Sequence, residues 1–192
     1  MAKYLSLGAT AVAAALLLSA MPAQAAVRVL GSTMAKGCYL AAKAERASAE
    51  GLKTCNDSLA QEALSRRDQA ATKVNRGILK MYDRDYADAL EDYEAALAAE
   101  PNMAEAHVNR GIAILRLGQP GAAETASAAF TRGIELATEK PEIAHYMRAI
   151  ANEMLGDAKG AYLDYRRSAE LKPSWSDPRN QLQRFRVTKA SN

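Results

Sequence analysis

The chain has 192 residues, 25 Lys+Arg against 22 Asp+Glu, a formal net charge of +3 and 49% hydrophobic residues. That is the composition of a folded protein with one core or two small ones, and it excludes wholesale disorder. The net charge is too small to point to nucleic acid, and 2 His with 2 Cys leave little from which to build a metal site.

Residues 1–25 read MAKYLSLGATAVAAALLLSAMPAQA. Lys3 supplies a positive start, residues 5–20 an apolar run, Pro22 a helix break, and Ala23-Gln24-Ala25 the small-x-small pattern that a signal peptidase accepts. The run is short for a span of ~20 residues and has no basic flank beyond it, so a cleaved leader is expected, with cleavage before Ala26. No Cys follows the run directly, so a lipid anchor is not expected. The remaining chain is expected to be exported and soluble, in the periplasm of a Gram-negative bacterium.

Residues 26–35 are expected to be a loose lead-in. Residues 36–47 and 52–64 carry apolar residues at helical spacing on either side of Gly51, which predicts a helical hairpin over 36–69. Cys38 and Cys55 fall in it. In an oxidising compartment they either form a disulfide that staples a weak terminal hairpin or remain two buried thiols. A continuous helix over 36–48 would set Cys38 about two turns from the position opposite Cys55, so a bridge would need Cys38 in a non-helical lead-in.

The body of the chain repeats. Val74-Asn75-Arg76-Gly77-Ile78 recurs as Val108-Asn109-Arg110-Gly111-Ile112, a spacing of 34, and a weaker copy, His145-Tyr146-Met147-Arg148-Ala149-Ile150, follows at 38. Ala89, Tyr93, Ala96 and Pro101 have counterparts at the same offsets in Ala161, Tyr165, Ser168 and Pro173. A period of 34 with small residues at fixed offsets resembles the tetratricopeptide repeat. On this alignment the repeats occupy 70–103, 104–141 and 142–175, with 36–69 a degenerate copy ahead of them. Small residues Gly77, Gly111 and Ala149 on the first helices are expected to face Ala89, Ala126 and Ala161 on the second, with Tyr93, Phe130 and Tyr165 as bulky plugs. The middle copy is longer, around Gln119-Pro120-Gly121, which predicts a longer turn or a displaced second helix.

Arg76 and Arg148 stand where Asp92 and Asp164 on the second helices can pair with them, and these are expected as structural ion pairs; Arg110 faces Ala129 instead. Ser176-Asp177-Pro178 is a helix-start signal, so 176–192 is expected to be a capping helix and tail, with Leu182 and Phe185 covering the last repeat and Arg184 and Arg186 in solvent. The C-terminal end is basic, while residues 83–105 are acidic.

The resemblance implies an all-α fold, a right-handed superhelical stack of helix–turn–helix hairpins with a C-terminal capping helix. It implies a peptide- or protein-binding adaptor or scaffold, with a concave groove lined by Asn75, Ile78, Tyr82, Asn109, Ile112, Arg116, Tyr146 and Ile150. Some of the three isoleucines have an equal claim to the core between repeats. Members of the family that clamp a terminal carboxylate use positions that are Val74, Ile78, Asn109, Ile143 and Met147 here; only Asn109 matches, so that clamp is not expected. The other functional reading is an envelope-associated structural protein that binds acidic surfaces or partners through its basic C-terminal end. No phosphate-cradling glycine loop, nucleophile elbow or zinc-binding helix motif occurs, so no catalysis, cofactor or metal is expected, and the basic tail lacks the interleaved aromatics of a nucleic-acid binder. His107 and His145 occupy equivalent repeat positions and read as packing residues.

Overall fold

The computed structural model describes residues 3–7, 24–29 and 33–189. Most of the expected leader, residues 30–32 of the lead-in and the last three residues of the tail lie outside that range. Nine helices follow in chain order among the described residues: α1 (Thr33–Lys43), α2 (Ala49–Gln61), α3 (Arg66–Tyr82), α4 (Tyr86–Ala99), α5 (Ala104–Leu117), α6 (Ala122–Glu135), α7 (Pro141–Met154), α8 (Ala158–Leu171) and α9 (Ser176–Leu182). The first eight pair as consecutive hairpins, each packed on the next, and α9 closes the end against α8. One apolar core runs through the whole stack. The fold is an all-α stack of helical hairpins. To it is added one antiparallel strand pair, β1 (Lys3–Leu7) with β2 (Phe185–Lys189), Lys3 standing opposite Lys189 and Leu7 opposite Phe185. Thus β1 lies inside the segment that reads as a leader.

The first hairpin differs from expectation in a way that decides the cysteines. Its break falls at residues 44–48, where Glu45 adopts a left-handed backbone (φ 53°), and not at Gly51. The Ser48 hydroxyl accepts from the Gly51 N–H at 2.9 Å, so Gly51 sits in the capped first turn of α2. The turn is centred midway between Cys38 and Cys55. An antiparallel register around it sets the two opposite each other, with Cα atoms 4.8 Å apart, and they are bridged. Because α1 stops at Lys43, Cys38 sits within a helix and needs no irregular lead-in.

Turns inside the repeats use left-handed residues where the chain reverses most sharply: Arg84 (φ 66°), Gly118 (φ 63°) and Gly156 (φ 77°). The longer middle repeat shows in its plug, which stands 19 residues after the small residue (Gly111 to Phe130) and 16 in the outer repeats (Gly77 to Tyr93, Ala149 to Tyr165). The extra length is spread out. Helix α5 runs further past its glycine than α3 does, its turn to α6 is one residue longer than that from α3 to α4, and α6 begins earlier relative to its plug. No single loop bulges out, and neither helix leaves the stack.

Within the hairpins the glycines face aromatic rings more directly than they face the alanines. A Cβ at Gly77 would lie 2.6 Å from Cε1 of Tyr93, and one at Gly111 2.6 Å from Cε1 of Phe130. Ala89, Ala126, Ala149 and Ala161 are fully buried around these contacts. The missing methyl group is therefore filled by the plug of the same hairpin, and a ring edge fixes how closely the two helices approach.

Arg76 donates from Nε to Asp92 at 2.9 Å and from Nη2 to its other oxygen at 2.5 Å, while Lys80 lies 2.9 Å from the same carboxylate. Arg148 makes the matching fork to Asp164 at 2.7 and 2.8 Å, and His145 joins at 2.8 Å. Arg110, whose own hairpin offers Ala129, reaches back to Glu94 of the preceding one at 3.4 Å. Both aspartates are buried, and charge-assisted forks in such places fix the register of the helices. Burial by itself would raise the Asp164 carboxyl, but hydrogen bonds from Arg148 and His145 outweigh it and hold the group below the usual aspartate range.

At the C-terminal end α9 stops at Leu182, and the following residues form β2 where a continued helix and tail were expected. Phe185 still covers the last repeat, edge-on to Tyr162 and Tyr165 at 5.8 and 6.1 Å. Arg184 is not in open solvent: it forks onto the buried Glu153 at 2.9 and 3.1 Å. Arg186 is exposed.

Two outcomes test this packing. Gly111→Ala is expected to lower unfolding free energy by roughly 1–3 kcal/mol in urea titration, and Phe130→Leu in the same chain to recover part of the loss by withdrawing the ring. Asp164 titrates lower folded than unfolded, so its contribution is complete above the unfolded value of about 4 and is lost as pH falls through the lowered folded value. Asp164→Asn is accordingly expected to lower the thermal midpoint at neutral pH, with the gap to the parent closing as pH falls from about 4 towards 2.

Candidate functional site

The first helix of each repeat repeats its faces every three to four residues, so Asn75, Ile78 and Tyr82 share one side of α3 and Asn109, Ile112 and Arg116 one side of α5. Tyr146 and Ile150 follow on α7. The structure divides these eight. Ile78, Ile112 and Ile150 are fully buried and belong to the core between hairpins. Tyr146 packs on Trp175 and Tyr165, with ring centroids 4.7 and 5.5 Å away, and so serves the C-terminal cap. Tyr82 and Arg116 are partly buried. Burial, with the charge of Glu45, pushes the Tyr82 hydroxyl up to about 12, and burial lowers the Arg116 guanidinium against the opposing effect of Tyr86.

The two asparagines do something that their spacing did not announce. Residues 24–29 lie across the first helices of the repeats, on the side expected to be concave, and both carboxamides hold their main chain. Asn75 accepts from the Val27 N–H at 2.8 Å and donates to the Val27 carbonyl at 2.7 Å, taking both backbone groups of one residue as a neighbouring strand would. Asn109 donates to the Ala25 carbonyl at 3.2 Å; its own carbonyl oxygen is buried with no hydrogen-bond partner among the described residues. Tyr93 donates its hydroxyl to the Gln24 side-chain oxygen at 3.2 Å, and desolvation pushes that hydroxyl well up, which keeps it a neutral donor. Lys140, just ahead of α7, donates to the Gln24 carbonyl at 3.0 Å and pairs with Glu45 at 3.1 Å.

The bound segment therefore has a direction. Gln24 lies by the start of the third repeat, Ala25 by the second and Val27 by the first, so it runs against the order of the hairpins. Ala25, Val27 and Val29 are buried and Arg28 is exposed, the alternation of a strand with one face down. The lead-in is thus ordered over its described residues, where a loose segment was expected. The alternation of valines with Arg28 is visible in the sequence; Tyr93, Gln24 and Lys140 carried no sequence signal for this site.

What the groove offers chemically is main-chain recognition: amide donors and acceptors, one phenol and one ammonium. Among the described residues no three His, Cys, Asp or Glu are grouped to hold a metal ion, and no helix is long and apolar enough to cross a membrane. His107 donates Nε2–H to the Pro101 carbonyl at 2.8 Å, and burial lowers its pKa.

The tetratricopeptide repeat family profile matches residues 74–129. No curated protein matches the sequence. Among solved structures, the first TPR of Spaghetti (RPAP3) bound to the HSP90 peptide SRMEEVD is 24% identical, with a TM-score of 0.55 over 59% of this chain and 87% of that one. An Arabidopsis OM64 TPR domain is 21% identical, with a TM-score of 0.58 over 62% and 96%. MamA is 16% identical, with a TM-score of 0.61 over 80% and 82%. At such identities these structures share the fold with this chain. The profile match over residues 74–129 and the shared stack of helical hairpins show tetratricopeptide-type repeats in this chain.

Proposed function

We propose that this protein is an exported, non-catalytic adaptor that holds an extended segment of a protein partner in its concave groove. The observation that carries the reading is the double hydrogen bond between the Asn75 carboxamide and the main chain of Val27, repeated in part by Asn109 on Ala25. A fully buried carboxamide satisfied by backbone groups is a device for holding extended chain whatever its side chains, because every residue but proline presents the same donor and acceptor. The unmatched carbonyl of Asn109 leaves an acceptor for a further main-chain N–H in the same groove. A peptide-bound TPR structure among those of the same fold is in keeping with this use. Export rests on the residues of the N-terminal 25, and places the adaptor in the periplasm.

The basic C-terminal end supports no equal alternative, because Arg184 is already committed to Glu153. The isoleucines are not the residues to test, since a charge at Ile78 or Ile112 would enter the core and unfold the protein. Asn109→Ala removes one donor and the unmatched acceptor of the groove and leaves the ring-on-glycine contacts of the hairpins in place. Capture of a partner from envelope extract by the exported protein, with loss of that partner on Asn109→Ala at an unchanged circular-dichroism spectrum, is the expected result. Equal capture by both forms would remove the groove from the function.

A further inference from the structure

The second helix of each repeat turns one stripe outward, and the three stripes compare position by position when counted from the aromatic plugs Tyr93, Phe130 and Tyr165. Six residues before the plug stand Ala87, Glu124 and Lys159; two before it stand Glu91, Ala128 and Leu163; one after it stand Glu94, Thr131 and Arg166. Thr131 is half-buried and the others are exposed. The outward stripe therefore passes from acidic on α4, through mixed on α6, to basic and apolar on α8. Packing does not ask for this change, because the repeats make the same internal contacts at the same offsets.

Apolar exposure is concentrated at the same end. Among the described residues four large apolar side chains are exposed, and three of them belong to the last hairpin: Met154 (43%), Leu155 (41%) and Leu163 (43%). Single exposed apolar residues are ordinary; a cluster on one hairpin is not. Met154 ends α7 and Leu155 opens the turn into α8. Lys159, Leu163 and Arg166, with Arg167 beside it, continue from that turn along one side of α8. In the first repeat the positions of Met154 and Leu155 carry Tyr82 and Asp83. The acidic groups near this tip are already engaged. The Asp157 carboxylate accepts from the Gly160 N–H at 2.9 Å, and Glu170 is shared by Arg166 and Arg167 at 3.5 and 3.4 Å. One carboxylate between two guanidiniums leaves an excess of positive charge on this side of α8.

We infer that the last hairpin docks the protein on an anionic lipid surface, with Met154 and Leu155 entering the interfacial layer and Lys159, Arg166 and Arg167 meeting headgroup phosphates. Two apolar side chains in a turn between helices make a shape that penetrates a fluid layer. The same turn gives a peptide no strand edge or long helix face to follow. Binding of this kind grows with the apolar area inserted and with each basic side chain near the charged layer. The acidic stripe of α4, two repeats away, is repelled by the same surface, so the docked protein has one orientation. This surface is separate from the tail, where Arg184 is committed to Glu153. It uses a turn and a second helix, whereas the asparagines of the groove stand on first helices, so docking leaves Asn75 and Asn109 uninvolved.

The test floats the purified full chain through a density gradient with vesicles of phosphatidylcholine alone or of equal parts phosphatidylcholine and phosphatidylglycerol. The variants borrow from the first repeat, which carries acidic residues at these positions without harm to its hairpin: Leu155→Asp with Leu163→Glu, and separately Arg166→Glu. Their circular-dichroism spectra are expected to match the parent's. The parent is expected to partition at least about tenfold better onto the anionic vesicles, and each variant to lose about fivefold or more of that binding. Raising salt from about 0.1 M to about 0.5 M is expected to weaken the parent's binding severalfold. All forms share one N-terminus, so the differences between them report the hairpin whether or not residues 1–25 are retained. Equal partition onto both kinds of vesicle, or anionic binding that the variants keep, would overturn the inference. An acidic protein captured through this surface with no vesicle binding would overturn it as well. None of these results bears on partner capture through Asn109.

Discussion

An aromatic ring seated where a glycine lacks its side chain sets the geometry of the central hairpins, and the groove depends on it. Tyr93 against Gly77 and Phe130 against Gly111 bring each pair of helices to a close, fixed separation. That contact makes the first helices line up with their asparagines on one side. A ring cannot be compressed and a glycine offers nothing to move, so hairpin spacing is specified more sharply here than alanine-on-alanine contact would specify it. Tyr93 serves twice: its ring packs the hairpin, and its hydroxyl reaches the groove as a donor to Gln24.

A second layer of specification is ionic. Arg76 with Asp92 and Arg148 with Asp164 lock the outer repeats across their own hairpins, while Arg110 ties the middle repeat to the one before it through Glu94. The same arginine thus serves two geometries, and the choice follows from whether its own second helix supplies a carboxylate. These forks stand away from the groove, so helix register is set by one set of residues and main-chain recognition by another. The terminal hairpin uses a third device, the bridge between Cys38 and Cys55, where only one neighbouring hairpin shields the apolar face.

The asparagine-bearing side of the first helices holds the protein's own chain. Residues 24–29 satisfy the Asn75 carboxamide in full and that of Asn109 in part. Carboxamide-to-backbone pairing is indifferent to side chains, so what singles out this segment is the burial of alternate residues, the Tyr93 hydroxyl and the charges near Lys140. The residues that give the site its chemistry come from the first helices, from a second helix, from a link between repeats and from the segment ahead of the first hairpin.

Several features were legible from the residues alone because they are local or periodic. The recurrence of Asn-Arg-Gly-Ile at a spacing of 34 specifies the hairpin unit, the offset of Arg76 to Asp92 specifies which helices carry opposite charges, and Ser176-Asp177-Pro178 marks the start of the last helix. Such patterns survive in one dimension because each repeat makes the same contacts at the same sequence distance. The register of Cys38 with Cys55 was not legible, since it depends on where α1 ends, and helix ends answer to capping and packing more than to propensity. The burial of the isoleucines was decided by neighbouring hairpins, because a position on a concave face is core or surface according to how closely the next repeat sits. The occupied groove lies furthest from the sequence: Gln24 and Lys140 are separated by most of the chain and meet only once the stack has formed. The repeating unit and its internal pairs follow from short-range pattern, whereas the packing of residues 24–29 against the first helices joins segments whose proximity exists only in the assembled stack.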